Sequence, residues 1–140
     1  MIDIIPARED MASLLTPQAA QLATGQMLTK AAMAAAIAGG LSLAAVSGSR
    51  VLAIGGISEV WNGRGVIWGL LGEDIDRDMI PIHRAVTRTL ALSTLPRIEA
   101  HVACSHETGH RWMKLLGFQR EGTMRAFWQG HDYDLYARVR

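Results

Sequence analysis

The side chains able to do chemistry gather in one stretch, from Arg97 to His110. Glu99, His101 and Ser105 alternate along one side of a run with strand periodicity. A carboxylate, an imidazole and a hydroxyl sharing a face can move protons as general acid or base. Cys104 and His106 follow, and a thiol beside an imidazole has the composition of a nucleophile with its base. Ile98, Ala100, Val102 and Cys104 form the opposite, apolar face, so the thiol is expected to be an inert core group. His106 and His110 share a helix face but lack the glutamate of a zinc-binding helix, and no metal site is expected. Asp74, Asp76 and Asp78 have the spacing of a calcium loop. Met79 and Ala85 stand where that loop needs glycine and glutamate, so a solvated acidic loop is expected instead.

Composition bounds what these residues can belong to. The chain has 140 residues, 49% hydrophobic and 19% charged, which predicts one globular domain spanning 1–140. A net charge of +1 supplies no electrostatic footprint for nucleic acid. One cysteine excludes an internal disulfide and fits a reducing, cytoplasmic setting. Ala31 to Val46 is uncharged but short, Ala-rich and split by Gly39 and Gly40, so a buried helix and a strand are expected rather than a membrane span. Asp3, Arg8, Glu9 and Asp10 interrupt the start, and no signal peptide is expected.

The elements that must position these groups are legible in order. Ile2 to Ala7 reads as a short strand, Asp10 to Leu15 as a helical turn, and Gln18 to Ala38 as helix broken near Gly25. Leu41–Val46, Arg50–Trp61 and Gly65–Leu71 read as consecutive strands joined at Ser47-Gly48-Ser49 and Asn62-Gly63-Arg64. Gly55-Gly56 predicts a bulge or a close backbone approach. After the acidic loop, Met79 to Ser93 is helical, with Ile82, Val86 and Leu90 as its apolar stripe. The strand from Arg97 to Cys104 leads into a helix expected to start at a Ser105 cap and to bury Trp112, Leu115 and Leu116. Gly117 ends that helix where a left-handed residue is usual. Gln119–Trp128 and a closing strand with Tyr133 and Tyr136 in the core complete the order β-α-α-β-β-β-α-β-α-β-β. That order predicts an α/β (α+β) domain with a mixed central sheet flanked by helices.

The run V-x-x-x-H-x-x-G-x-x-W-M-x-x-L-G-F-x-x-E-G-x-x-R, from Val102 to Arg125, resembles the C-terminal half of the GNAT N-acetyltransferases. So does the ending G-x-x-Y-D-L-Y-A-R-V, from Gly130 to Val139. The resemblance implies acetyl-CoA as cofactor, held by the fourth strand and the loop after it, with Gly69, Leu70, Leu71, Gly72, Arg77, Arg84 and His106 as the matching positions. It implies an amine acceptor, for which Glu99 or His101, with Ser105 on the same strand face, are the candidate base residues. Two departures stand out. The pyrophosphate loop of the family is Gly-rich, whereas Gly72 to Asp78 carries one glycine and four carboxylates, with Asp78 expected to cap the next helix. The family's general-acid tyrosine is Met113, and methionine cannot transfer a proton.

Two functional classes follow. One is a working acetyl-CoA-dependent N-acetyltransferase on an amine of a protein or small molecule. The other is a GNAT-fold protein without turnover that serves as a binding or assembly part, with a protein partner or a homo-oligomer as its setting. WGLLGEDIDRD, with its irregular loop, is similar to short GNAT-like proteins encoded by tailed phages, which implies a cytoplasmic location in the host or association with the virion.

Overall fold

Near-continuous burial along Ser42–Val46 and Val51–Ile54 marks two apolar strands of a hairpin that closes at Gly48, whose φ of +60° suits a tight turn. The computed structural model describes all residues, Met1–Arg140. Its strands are β1 (Asp3–Pro6), β2 (Gly40–Ser47), β3 (Arg50–Trp61), β4 (Arg64–Leu71), β5 (Arg97–Ala103), β6 (Gln119–Trp128) and β7 (His131–Val139). Its helices are α1 (Leu22–Met27), α2 (Lys30–Ala38), α3 (Met79–Leu92) and α4 (Glu107–Leu115), with short 3-10 turns at Met11–Leu14, Ala19–Gln21 and Asp76–Asp78. The strands form one mixed sheet in the order β1-β2-β3-β4-β5-β7-β6, with β4 and β5 parallel. The element order and the α+β class are those expected from the sequence.

The chain divides into two compact units, Met1–Ser58 with Trp68–Ser93, and Glu59–Ile67 with Thr94–Arg140. The first unit is organised around a core of Met11, Leu15, Met33, Ala44, Val46, Val51, Ile54 and Leu70. Its glycine pair follows from close packing within the sheet: a Cβ on Gly56 would fall 2.2 Å from the Leu41 carbonyl oxygen, and one on Gly55 would fall 2.8 Å from that of Trp68. The bulge lies elsewhere, between Ala45 and Val46. The helical break comes at Leu28–Thr29 rather than at Gly25. Thr29 caps α2, its hydroxyl accepting the Ala32 N–H at 3.2 Å, and this cap sets the second helix's start. No helix is long and apolar enough to cross a membrane.

The second unit holds β5, α4, β6 and β7. Helix α4 begins at Glu107, one residue later than a Ser105 cap would give, and His106 at the cap makes no side-chain capping bond, its Nδ1 lying instead 3.3 Å from Thr108 Oγ1. Its buried residues are Gly109 and Met113, continued by Leu116, while Leu115 is 75% exposed. That spacing of i, i+4 and i+7 is one helical face, and it turns Leu115 outward. Gly117 has φ +87°. The Phe118 N–H donates to Met113 O at 2.9 Å and the Gly117 N–H to Lys114 O at 3.1 Å, a Schellman ending that folds Phe118 inward.

Candidate functional site

Strand β5 carries Glu99 and His101 on one side, as the alternation requires, but gives them different surroundings. Glu99 is buried. Arg64 Nε and Nη2 donate to its two carboxylate oxygens at 2.9 and 2.6 Å, and Arg97 Nε donates to Oε2 at 2.7 Å. Arg97 also reaches Glu121, and Arg64 stacks over Trp61 at 4.2 Å. The Arg64 hydrogen bond, outweighing burial and joined by Arg97, lowers the Glu99 pKa to about 2. A carboxylate held this firmly is a poor base near neutral pH. The sequence suggested a free base here and missed both arginines. The Arg-x-Glu spacing at 97 and 99, which puts the two on one strand face, was the available signal.

His101 is half-buried, 4.0 Å from Glu99 Oε1, with its ring edge against Phe127. Burial lowers its pKa, so the imidazole is neutral near pH 7. Ser105 lies exposed in the turn after β5, outside the strand that was expected to align it with Glu99 and His101. His106, at the start of α4, packs its ring where a Cβ on Gly109 would come within 2.6 Å of Cδ2. Its pKa is lowered by burial and then by His110.

Cys104 is exposed, contrary to the core position expected, because β5 ends at Ala103 and the alternation stops there. Its thiol donates to Asp134 Oδ1 at 3.4 Å, and partial desolvation together with that carboxylate pushes its pKa up. The imidazole nearest this turn is His110, not His106. Its Nε2 lies 3.0 Å from Ala103 O and 3.2 Å from Cys104 O, so in the neutral ring Nε2 carries the hydrogen and Nδ1 accepts from Tyr136 Oη at 2.8 Å. Tyr136 is buried, and Tyr133 also belongs to the core. These bonds tie α4 to the end of β5 and to β7. A raised thiol pKa and an imidazole already bonded at both nitrogens do not make a nucleophile pair. No cluster of three metal-ligating side chains occurs.

Of the cofactor positions implied by the resemblance, all but His106 lie in the first unit. Leu70 is fully buried, Leu71 is buried and Gly69 half-buried. The loop after β4 is already engaged by its own chain. The Gly72 N–H donates to Leu52 O at 2.8 Å, the Glu73 N–H to Thr16 O at 2.9 Å and the Asp78 N–H to Ile75 O at 2.7 Å. Asp78 precedes α3 without a side-chain capping bond, contrary to expectation, its backbone at φ −105° and ψ 1° lying outside the extended geometry a cap prefers. Asp74 pairs with Arg50 at 3.8 Å, while Arg77 and Arg84 are exposed. Gln21, which the sequence did not single out, bonds β4 directly. Its Nε2 donates to Gly69 O at 3.0 Å and its Oε1 accepts the Leu71 N–H at 2.8 Å.

No protein-family model matches the sequence, and no curated protein matches it. Solved structures do. The acetyltransferase of GNAT family from Streptococcus pneumoniae superposes with TM-score 0.72 at 17% identity, covering 99% of each chain. The IAA acetyltransferase from Bacillus cereus gives 0.76 at 15% identity over 100% of both chains. The ribosomal-protein-S18-alanine N-acetyltransferase from Escherichia coli gives 0.77 at 12% identity, covering 99% of this chain and 94% of that one. This chain therefore has the GNAT acetyltransferase fold over its whole length.

Proposed function

We propose that this chain is a GNAT-fold protein that does not turn over acetyl-CoA and that works as a binding or assembly part, as in the phage-encoded proteins it resembles. One observation carries the reading. The loop that would have to hold the cofactor's pyrophosphate has Glu73, Asp74, Asp76 and Asp78 along it, while the amides of Gly72, Glu73 and Asp78 already bond to carbonyls of the same chain. An anion site needs free N–H groups and local positive charge, whereas three amides of this loop are engaged and its four carboxylates outnumber Arg77. The residues present in this loop do not fit the pyrophosphate of acetyl-CoA. The firmly held Glu99 and the buried Met113 at the tyrosine position agree with a protein without turnover.

The second reading, an N-acetyltransferase acting on an amine, draws support from one residue. His101 is neutral near pH 7 and only half-buried, as a base would need to be. Thermal denaturation with acetyl-CoA decides between the two readings. Binding at a hundred times the dissociation constant adds about 2.7 kcal/mol of stability. No shift at millimolar acetyl-CoA is expected, and a clear shift at micromolar concentration would overturn the proposal.

A further inference from the structure

Helix α3 buries one face and presents another to solvent. Ile82 and Leu90 are buried, with Met79 and Val86 half-buried on the same side, and Ile75 is buried in the turn before them. The outer face carries Ile80, Arg84, Arg88 and Leu92, with Arg77 leading into it. Ile80 is 66% exposed and Leu92 76%. Arg77, Arg84 and Arg88 are exposed and take part in no ion pair. A helix face with two large apolar side chains and three unneutralised arginines is built unlike a merely solvated one.

Charge divides along this element. Glu73, Asp74, Asp76 and Asp78 precede α3, and no acidic residue follows from Met79 to Leu92. Arg50 engages Asp74 at 3.8 Å, whereas Glu73 and Asp76 are exposed and unpaired. An anionic lipid surface or an acidic peptide laid along the whole element would be repelled by its first residues. A second copy running the other way meets that end with arginines instead. Asp76 lies six residues before Ile82 and Arg88 six after it. A two-fold axis at the level of Ile82 therefore brings Asp76 of each copy to Arg88 of the other. Ile80 then packs under the aliphatic stem of Arg84, and Arg77 falls opposite Thr87 rather than another arginine.

We propose that the outer face of α3, with the acidic turn before it, docks a second copy of this chain, the two helices running antiparallel about a two-fold axis. Contact between two helices is smaller than the roughly 1,200–2,000 Å² of stable complexes, so the dimer is weak, with a dissociation constant on the order of 10–100 µM. The exposed charges set direction and register more than affinity. This dimer deepens the proposed function and rests on its assembly reading, for which it names the partner. Acetyl-CoA binding is measured separately, so the two fail separately.

Sedimentation velocity of the full chain, from about 5 to about 500 µM, is the test. The average mass should rise from one chain toward two across that range. Arg88→Asp and Asp76→Arg each set like charges together and should shift the rise to at least about tenfold higher concentration. The chain carrying both substitutions has opposite charges again at both contacts, and should dimerise within about twofold of wild type. Salt supplies a check that needs no variant: raising it from about 0.05 to about 0.5 M should weaken the wild-type dimer about threefold or more. A chain that stays monomeric at the highest concentration overturns the dimer. So does self-association that neither single reversal weakens, or that the double reversal fails to restore. A monomer that instead sediments with anionic vesicles, and loses them in Arg84→Asp, overturns it in favour of a lipid surface. Dimerisation with this charge pattern, beside a melting shift at micromolar acetyl-CoA, would sink the loop reading and leave the dimer standing.

Discussion

Replacing Glu99 by Gln separates the structural role of this residue from a catalytic one. The carboxylate takes three hydrogen bonds from Arg64 and Arg97, and its pKa falls from the ordinary 4.5 to about 2. At roughly 1.4 kcal/mol per unit, a shift of that size corresponds to about 3 kcal/mol. Removing one partner of a buried pair typically costs about 3–5 kcal/mol. The side chains of Arg64 and Arg97 keep 23% and 31% exposure, so water compensates in part. Glu99→Gln should therefore cost about 2–3 kcal/mol at pH 7. The sign follows from linkage. A carboxyl whose folded pKa is depressed contributes its stability fully above the unfolded pKa, near 4.5, and loses it as pH falls toward 2. Urea denaturation of both proteins from pH 7 downward should thus show a gap that narrows below about pH 4.5 and closes near pH 2. An equal midpoint at pH 7, or a gap that ignores pH, would refute the clamp. A variant that kept its stability but lost acetyl transfer would instead make Glu99 a base.

Three further outcomes follow from the second unit. Gly117→Ala should cost about 1 kcal/mol in chemical denaturation, all of it from φ +87°, because nothing lies within 4 Å of the added Cβ. Met113→Tyr should fold at a cost of about 1–2 kcal/mol from overpacking and gain no acetyl transfer in an assay of released thiol, whereas a positioned general acid typically brings about 10²–10⁴-fold. Measurable turnover in the variant would show that only the acid was missing. The Cys104 thiol should react several-fold more slowly with iodoacetamide at pH 8 than a free peptide cysteine, and Asp134→Asn should speed it, since the carboxylate favours the protonated thiol. Unchanged reactivity in Asp134→Asn would discount that contact.

Most of the fold was legible because its determinants are local. Strand alternation, the turn at Asn62-Gly63 and the glycine stop at Gly117 each act within a few residues, and the structure has them where their chemistry requires. Errors came where tertiary packing outweighed local pattern. Gly25 looks like a helix breaker, yet α1 runs through it because the glycine makes room for Pro17, and the break falls at the Thr29 cap instead. Leu115 looks as apolar as Leu116, but the face of α4 that turns inward is set by Gly109 and Met113.

The site was less legible, for a physical reason of the same kind. A functional residue is defined by what surrounds it, and the partners of Glu99 and Gln21 arrive from distant parts of the chain. Arg64 is 35 residues from Glu99, and Gln21 is 48 and 50 residues from the β4 groups it bonds. A glutamate that shares a strand face with His101 reads as a base until two guanidiniums are seen to hold it charged. A glutamine in an Ala-rich segment has no motif, because its carboxamide matters only where a strand edge lacks a peptide partner. The family pattern lies in Val102–Val139, the stretch that builds α4, β6 and β7. Chemistry in this fold would depend equally on β4 and the loop after it, where Gly72 to Asp78 departs from the Gly-rich sequence that the resemblance implies. Whether acetyl-CoA binds at that loop is therefore the question on which the function turns.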